Sequence, residues 1–360
     1  MMDIEDDHML YISFNQDNSC FSVGTERGYR IYSLQTPNLD FYERVMDGGI
    51  GIIEMLFRSN ILALVGGGKY PKYPQNKVII WDDNNGKVIT ELSFNGYVNN
   101  VKLKRDKIVI ICDKKIFVFN LMNLTQIDVI DYETIENKKG LIAITPLKGN
   151  SIAYPDKAIG YVRIKNYDIG KKVLINAHDN PLAAIAFSRD GTILASASCE
   201  GIYLRLFTVE NANFIYQFQI GKYATDVLAL SFDADGDYLI TSIVGGVVCG
   251  FSMGKAKEKY EKGKMENNKD KKRDIVEEEA VSMPQQSIWS KMFTRDEGPF
   301  ITMKVPEKKL LAAFVTGSYG KNRICVIGSE GRYYLARFDE KEGGIAMKEE
   351  ERSLGISLYD

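Results

Sequence analysis

One pattern of strands and turns occurs twice in the second half of the chain, in residues 182–207 and 227–251. In each copy an apolar stretch ends in Phe, a polar turn with Asp-Gly follows, and two further β-rich stretches flank a turn with Gly. The equivalent residues Phe187 and Phe232 are 45 positions apart. This period, built from short strands, is typical of the four-stranded blade of a β-propeller.

The same pattern extends along most of the chain and gives seven units in total. Further copies begin at Phe14, Phe57, Leu103 and Thr145, and the last begins at Leu310. Their strands are short, rich in Val, Ile, Tyr and Phe, and bounded by Gly, Asn and Asp. The sequence therefore predicts an all-β fold, a seven-bladed WD-repeat-type β-propeller that forms a single domain over residues 1–360.

Residues 254–298 interrupt the repeat between the predicted last two strands of blade six. Between Lys255 and Arg273 this insert holds nine Lys or Arg against four acidic residues, which is too polar to fold alone and predicts a disordered loop. Near its end, a short amphipathic segment has its large apolar side chains on one helical face, at Ile288, Trp289, Met292 and Phe293. We expect this face to contact a membrane; the alternative is that it packs back on the propeller.

Composition excludes several classes of function. The formal net charge is −2, and no aromatic platform lies among the basic runs, so nucleic-acid binding is not expected. Five widely spaced cysteines predict neither disulfides nor a metal site. No enzyme motif accompanies the two histidines, so no catalytic residue and no cofactor are predicted. The lack of a signal peptide or of a long apolar run predicts a cytoplasmic protein.

Three stretches together suggest a family. Residues 61–83 (ILALVGGGKYPKYPQNKVIIWDD), 14–32 and 176–198 resemble the PROPPINs, the WIPI-type β-propellers of autophagy. The resemblance implies binding of phosphatidylinositol 3-phosphate and its 3,5-bisphosphate relative through two pockets on the propeller rim. It also implies a membrane-inserting loop in blade six and recruitment of a rod-shaped autophagic lipid-transfer protein.

The lipid-binding motif of that family is Phe/Leu-Arg-Arg-Gly, and this chain departs from it. The aligned residues are Phe218, Gln219, Ile220 and Gly221, so both arginines are missing. Adjacent strand residues face opposite sides, which lets neighbouring arginines serve two phosphate pockets. Arg205 matches a basic position of the family, and Lys222 follows the motif; the alternatives are a structural arginine and a solvated lysine. We expect phosphoinositide binding to be weakened or lost.

A protein-binding site is expected near the first blades. The resemblance carries Asn15 and Asp17 over as residues that bind the lipid-transfer partner, and the alternative is ordinary Asx-turn chemistry. The Tyr- and Pro-rich loop Lys69–Asn76 also suits a binding rim.

Two functions remain open. One is a monomeric autophagy adaptor, cytoplasmic and peripherally associated with pre-autophagosomal or endosomal membranes. The other is a propeller repurposed for protein–protein contacts without a membrane role.

Overall fold

The seven predicted blades are present as seven sheets in the computed structural model, which describes residues 7–36, 38–131, 137–267, 298–316 and 322–358. Consecutive strands of each blade pair in antiparallel order, and each new blade begins after a short connection. The fold is the predicted all-β, seven-bladed propeller. The chain divides into two compact units, residues 1–140 with 313–337 and 348–360, and residues 141–312 with 338–347.

The first unit contains blades one, two and three and most of blade seven. Blade one consists of β1 (His8–Phe14), β2 (Cys20–Thr25), β3 (Gly28–Ser33) and β4 (Phe41–Val45). Blade two consists of β5 (Ile50–Met55), β6 (Ile61–Gly66), β7 (Lys77–Asp82) and β8 (Lys87–Ser93). Blade three consists of β9 (Val98–Lys104), β10 (Lys107–Cys112), β11 (Lys115–Asn120) and β12 (Gln126–Asp131).

The second unit contains blades four to six. Blade four consists of β13 (Ala143–Ile144), β14 (Ser151–Pro155), β15 (Tyr161–Asn166) and β16 (Lys172–Asn176). Blade five consists of β17 (Leu182–Phe187), β18 (Ile193–Ser198), β19 (Tyr203–Thr208) and β20 (Phe214–Gln219). Blade six consists of β21 (Val227–Phe232), β22 (Tyr238–Ile243), β23 (Val247–Ser252) and β24 (Ile301–Lys304).

The last part of the chain builds blade seven and extends two other blades. Blade seven consists of β25 (Leu310–Phe314), β26 (Arg323–Gly328), β27 (Arg332–Arg337) and β29 (Met347–Ser353). The short strand β28 (Gly344–Ile345) adds to blade six in parallel with β24. The short strand β30 (Ser357–Leu358) adds to blade one in parallel with β1.

Burial within a blade depends on strand position. Every residue of β2, β10 and β18, the second strands of their blades, is buried. The fourth strands of the first three blades, β4, β8 and β12, hold no buried residue. The apolar cores therefore lie between the faces of neighbouring sheets, and in the first three blades the outer strand is an exposed edge.

The insert lies where the sequence places it, between β23 and β24, but its first part differs from the predicted loop. Residues Gly254–Asn267 form helix α1. Lys, Glu and Ala favour a helix, and Ala256, fully buried, packs with the partly buried Tyr260 one turn later against the core of blades five and six. Among the described residues, no helix combines the length and hydropathy needed to cross a membrane.

Candidate functional site

The degenerate lipid motif lies at the end of β20, the outer strand of blade five. Phe218 is buried, with its ring centroid 4.9 Å from that of Tyr216 and 5.0 Å from that of Phe251. It is thus a core residue that joins the sheets of blades five and six. Phe218 matches the first position of the motif, and its uncharged ring provides no hydrogen-bond donor for a phosphate.

The two positions aligned with the missing arginines are occupied in different ways. Gln219 donates from Nε2 to the carbonyl oxygen of Gly221, at 3.2 Å. Ile220 is 5% exposed, belongs to the same apolar core, and donates its backbone N–H to the carbonyl oxygen of Ile202 at 2.7 Å. Lys222 is exposed to solvent. Neither Gln219 nor Ile220 carries a positive charge that could bind the phosphate of a lipid headgroup.

Arg205 lies on β19, and its guanidinium bonds within its own unit. Its Nε donates to Oε1 of Gln217 at 2.9 Å, and Nη1 donates to the carbonyl oxygen of Ala177 at 2.7 Å. Burial lowers the pKa of Arg205, partly offset by the negative charge of Asp179. These contacts favour a structural arginine that links β19 to β20 and to the end of blade four, over one that binds a ligand.

The predicted partner-binding turn in blade one is held by its own side chains. Asn15 is 2% exposed; its Nδ2 donates to Oγ of Ser19 and to the carbonyl oxygen of Phe57, and its Oδ1 accepts the N–H of Cys20. Asp17 is half-buried, and its Oδ1 accepts the N–H of Ser19 at 3.0 Å. The structure places Asn15 inside the turn and leaves Asp17 as the partly accessible member of the pair.

The loop Lys69–Asn76 is anchored by a residue that the sequence did not single out. The carboxylate of Glu26 accepts the backbone N–H of Lys69 with both oxygens, at 3.0 and 3.2 Å. Gly68 has φ of +77°, a left-handed conformation that favours glycine, and the Glu26 carboxylate lies 2.2 Å from where a Cβ would be. The loop presents Tyr70, which is 71% exposed, with Nζ of Lys69 5.4 Å from its ring centroid.

The predicted membrane-contacting residues of the insert, Ile288, Trp289, Met292 and Phe293, lie outside the described residues.

Comparison with known families decides the class of the propeller. The PROPPIN family model matches residues 9–354. The chain belongs to the PROPPIN family. The family predicted from the sequence is therefore confirmed.

Relatives and solved structures agree with this assignment. SVP1-like protein 2 of Neurospora crassa is 35% identical over 231 residues, 64% of this chain; the chain spans about half, 53%, of that relative. Autophagy-related protein 18e of Arabidopsis thaliana is 28% identical over 98% of this chain and 89% of its own length. Among solved structures, Kluyveromyces lactis Hsv2 has a TM-score of 0.74 at 19% identity and covers 97% of this chain and 99% of its own.

A second solved structure is a complex of KlAtg21 with the coiled coil of AgAtg16. It has a TM-score of 0.75 at 18% identity and covers 96% of this chain and 99% of the matched chain. At this identity the two structures show the fold alone. With the family and the relatives' names, the comparisons support an autophagy-related propeller scaffold.

In this PROPPIN, an aromatic cleft of about 570 Å³ opens between the ends of blades two and three. Phe94, Phe117 and Phe119 line it, with the ring centroids of Phe94 and Phe117 4.8 Å apart. Lys114 and Lys115 also line it; both are exposed, and Lys115 pairs with Asp131 at 3.0 Å. Asp113 lines it as well, so the cleft has an apolar floor with charges of both signs at its edge, and it suits a large apolar side chain of a peptide.

The sequence did not predict this cleft, because its aromatic residues come from two different blades. The signal available in the sequence is the pair Phe117 and Phe119, which lie two positions apart on β11 and so on one face of it. Phe94 completes the cluster only through the packing of blade two against blade three.

Proposed function

We propose that this PROPPIN is a non-enzymatic adaptor that holds a protein partner at autophagosomal membranes, with phosphoinositide headgroup recognition weakened or lost. The weakened or lost headgroup recognition is argued from Gln219 and Ile220, which stand in place of the two arginines of the motif. One side chain bonds to its own loop, and the other is buried in the core.

The cost of losing the arginines is set by charge-assisted hydrogen bonds. Each is worth about 1.5–3 kcal/mol, which corresponds to roughly tenfold to a hundredfold in affinity for each pocket. Lys222 is a single exposed ammonium and does not replace a bidentate guanidinium. Binding to vesicles with phosphatidylinositol 3-phosphate should therefore differ little from binding to vesicles without it.

Membrane contact in this proposal comes from the insert. Each large apolar side chain of the segment Ile288–Phe293 would contribute about 1.5–3 kcal/mol on full burial, and each basic residue near an anionic surface about 1 kcal/mol. Neither contribution depends on a specific headgroup. A cytoplasmic protein of this kind would associate peripherally with pre-autophagosomal or endosomal membranes.

Partner binding in this proposal uses the first three blades. The turn with Asp17, the loop with Tyr70 and the aromatic cleft all belong to the first unit. The complex of KlAtg21 with a coiled coil supports a protein partner for a propeller of this fold; the family resemblance indicates the autophagic lipid-transfer protein. Two weak contacts, one with lipid and one with protein, reinforce each other through effective concentration.

Co-flotation tests the adaptor function. The lipid-transfer protein is mixed with phosphatidylcholine–phosphatidylserine vesicles at a concentration where it does not float alone, with and without this chain. We expect the chain to carry the partner to the vesicles, and a variant with Asp17→Lys and Lys114→Glu to float without it. Absence of partner from the floated fraction in every mixture would contradict the proposal.

The second candidate, a scaffold without a membrane role, is favoured by the same missing arginines. Deleting residues 268–297 separates the two functions, since it leaves α1 and the blade strands in place. The adaptor loses vesicle binding on this deletion and keeps its partner. A scaffold without a membrane role shows no vesicle binding before or after it.

A further inference from the structure

The turn between β21 and β22 in blade six is unusually acidic. Its residues Asp233, Asp235 and Asp237 bring three carboxylates to within 4.8 Å of one another. The equivalent turn of blade five has Ser188, Asp190 and Thr192 at the same positions, and so a single acid. Asp233 is buried, which raises its pKa, and its Oδ1 accepts the N–H of Tyr238 at 2.9 Å. Asp235 matches the acid of blade five, and Asp233 accepts the turn hydrogen bond that Ser188 accepts there. Asp237 is therefore the additional acid of this turn.

A lysine of helix α1 pairs with Asp237. Nζ of Lys257 is 2.5 Å from Oδ1 of Asp237 and 3.1 Å from the carbonyl oxygen of Asp235. Both side chains of the ion pair are partly exposed, so the pair contributes little stability by itself. Charge pairs at the edge of an interface fix its register more than they add affinity.

The apolar contacts of α1 are made with the outer strand of blade five. Ala256 is fully buried in the core that includes Tyr216 and Phe218, and Tyr260 packs against the same core. Nζ of Lys259 is 4.6 Å from the ring centroid of Tyr216. The four central residues of β20 are buried, whereas β4, β8 and β12 hold no buried residue. Helix α1 therefore packs on an edge strand that is exposed in the first three blades.

We propose that α1 is a strut that ties the start of the insert to blades five and six, with Lys257 as the positioning residue. A helix of 14 residues is about 21 Å long, so it carries the chain a fixed distance from β23 before the insert continues. A fixed exit point raises the effective concentration of whatever the insert binds. This consequence rests on the proposed membrane contact; the docking of α1 does not.

Hydrogen exchange of the full chain tests the strut directly. Lys257→Glu places a fourth acid beside the acidic turn, and the matched control Lys262→Glu makes the same charge change at an exposed position of α1. We expect the amides of residues 257–267 to lose at least tenfold of their protection in the first variant and to keep it in the second. Equal protection in wild type and Lys257→Glu would overturn the proposal, and so would equal losses in both variants.

Flotation on phosphatidylcholine–phosphatidylserine vesicles without phosphoinositide then tests the consequence. We expect Lys257→Glu to bind several-fold less than Lys262→Glu, although the two have the same net charge. Equal binding of the two variants would overturn the role of the strut in membrane contact. If deletion of residues 268–297 leaves vesicle binding unchanged, the membrane part of the proposed function fails, while the exchange result still decides whether α1 is docked.

Discussion

The Nε2 atom of His178 lies 2.9 Å from Oγ of Ser196, and both side chains are buried. Burial, with a smaller contribution from the positive charge of Arg205, lowers the pKa of His178 from 6.5 to about 3. The histidine is therefore neutral in the folded protein at neutral pH and serves as a structural link between strands.

Stability should fall in acid because of this histidine. Between pH 6.5 and about 3 the unfolded chain binds a proton at His178 and the folded chain does not, so unfolding is favoured as pH falls. We expect this residue to lower the free energy of unfolding by up to about 1.4 kcal/mol per pH unit across that window. Denaturant titrations of wild type and His178→Asn at pH 7, 6 and 5 measure it. A pH slope as steep in the variant as in wild type would contradict the assignment.

Substitution of Asn15 should reduce the free energy of unfolding more than substitution of Asp17. Asn15→Ala removes three hydrogen bonds at a buried turn and leaves buried partners unsatisfied, so we expect a loss of about 2–3 kcal/mol. Asp17→Ala removes the hydrogen bond to the N–H of Ser19 at a half-buried position and should cost about 1 kcal/mol. Urea denaturation measures both. Equal losses in the two variants would show that Asn15 is not the residue that holds the turn.

An ion pair between the buried Glu54 and the partly buried Lys102 joins blades two and three. Nζ of Lys102 is 3.0 Å from Oε2 of Glu54, which is 3% exposed, and burial raises the pKa of Glu54. Lys102→Met leaves a buried carboxyl without its partner and should destabilise the fold by about 3–5 kcal/mol. The double variant Glu54→Gln with Lys102→Met should recover most of that loss. Additive losses in this double-mutant cycle would contradict the pairing.

The C-terminal segment should stabilise the junction of blades seven and one. Leu354 is buried in a core shared by the two blades, and its carbonyl oxygen accepts a hydrogen bond from Nη1 of Arg30 at 2.8 Å. We expect Leu354→Ala to cost about 2–4 kcal/mol. Met347→Ala is the control, since Met347 is 61% exposed and should cost less than about 0.5 kcal/mol. Thermal or denaturant unfolding measures both variants. A similar loss of stability in the two would contradict a stabilising role of Leu354 at the junction.

The number of blades could be predicted from the sequence because a blade is a local unit. Each copy carries its own strands and turns within about 45 residues, so the pattern around Phe187 and Phe232 needs no distant information. The contacts that decide the sites are distant. Asn15 resembles any polar turn residue until its bond to Phe57, 42 positions away, is known.

Helix α1 could not be predicted from the sequence, because the contacts that hold it are also distant. Its lysine-rich sequence is typical of a solvated segment, and the residues that dock it, Ala256 and Tyr260, have no special signal in the sequence. The surface they cover, on β20, exists only after blade five has folded. The aromatic cleft was missed for the same reason, since Phe94 meets Phe117 only when two blades pack together.

The most direct test of the account concerns Gln219 and Ile220. Wild type is floated on phosphatidylcholine–phosphatidylserine vesicles with and without 5 mol% phosphatidylinositol 3-phosphate. The phosphoinositide is in roughly a hundredfold molar excess over the protein. We expect bound fractions that agree within about twofold, since Gln219 and Ile220 stand in place of both arginines of the motif. A tenfold or larger increase with the phosphoinositide, abolished by Arg205→Ala with Lys222→Ala, would contradict it.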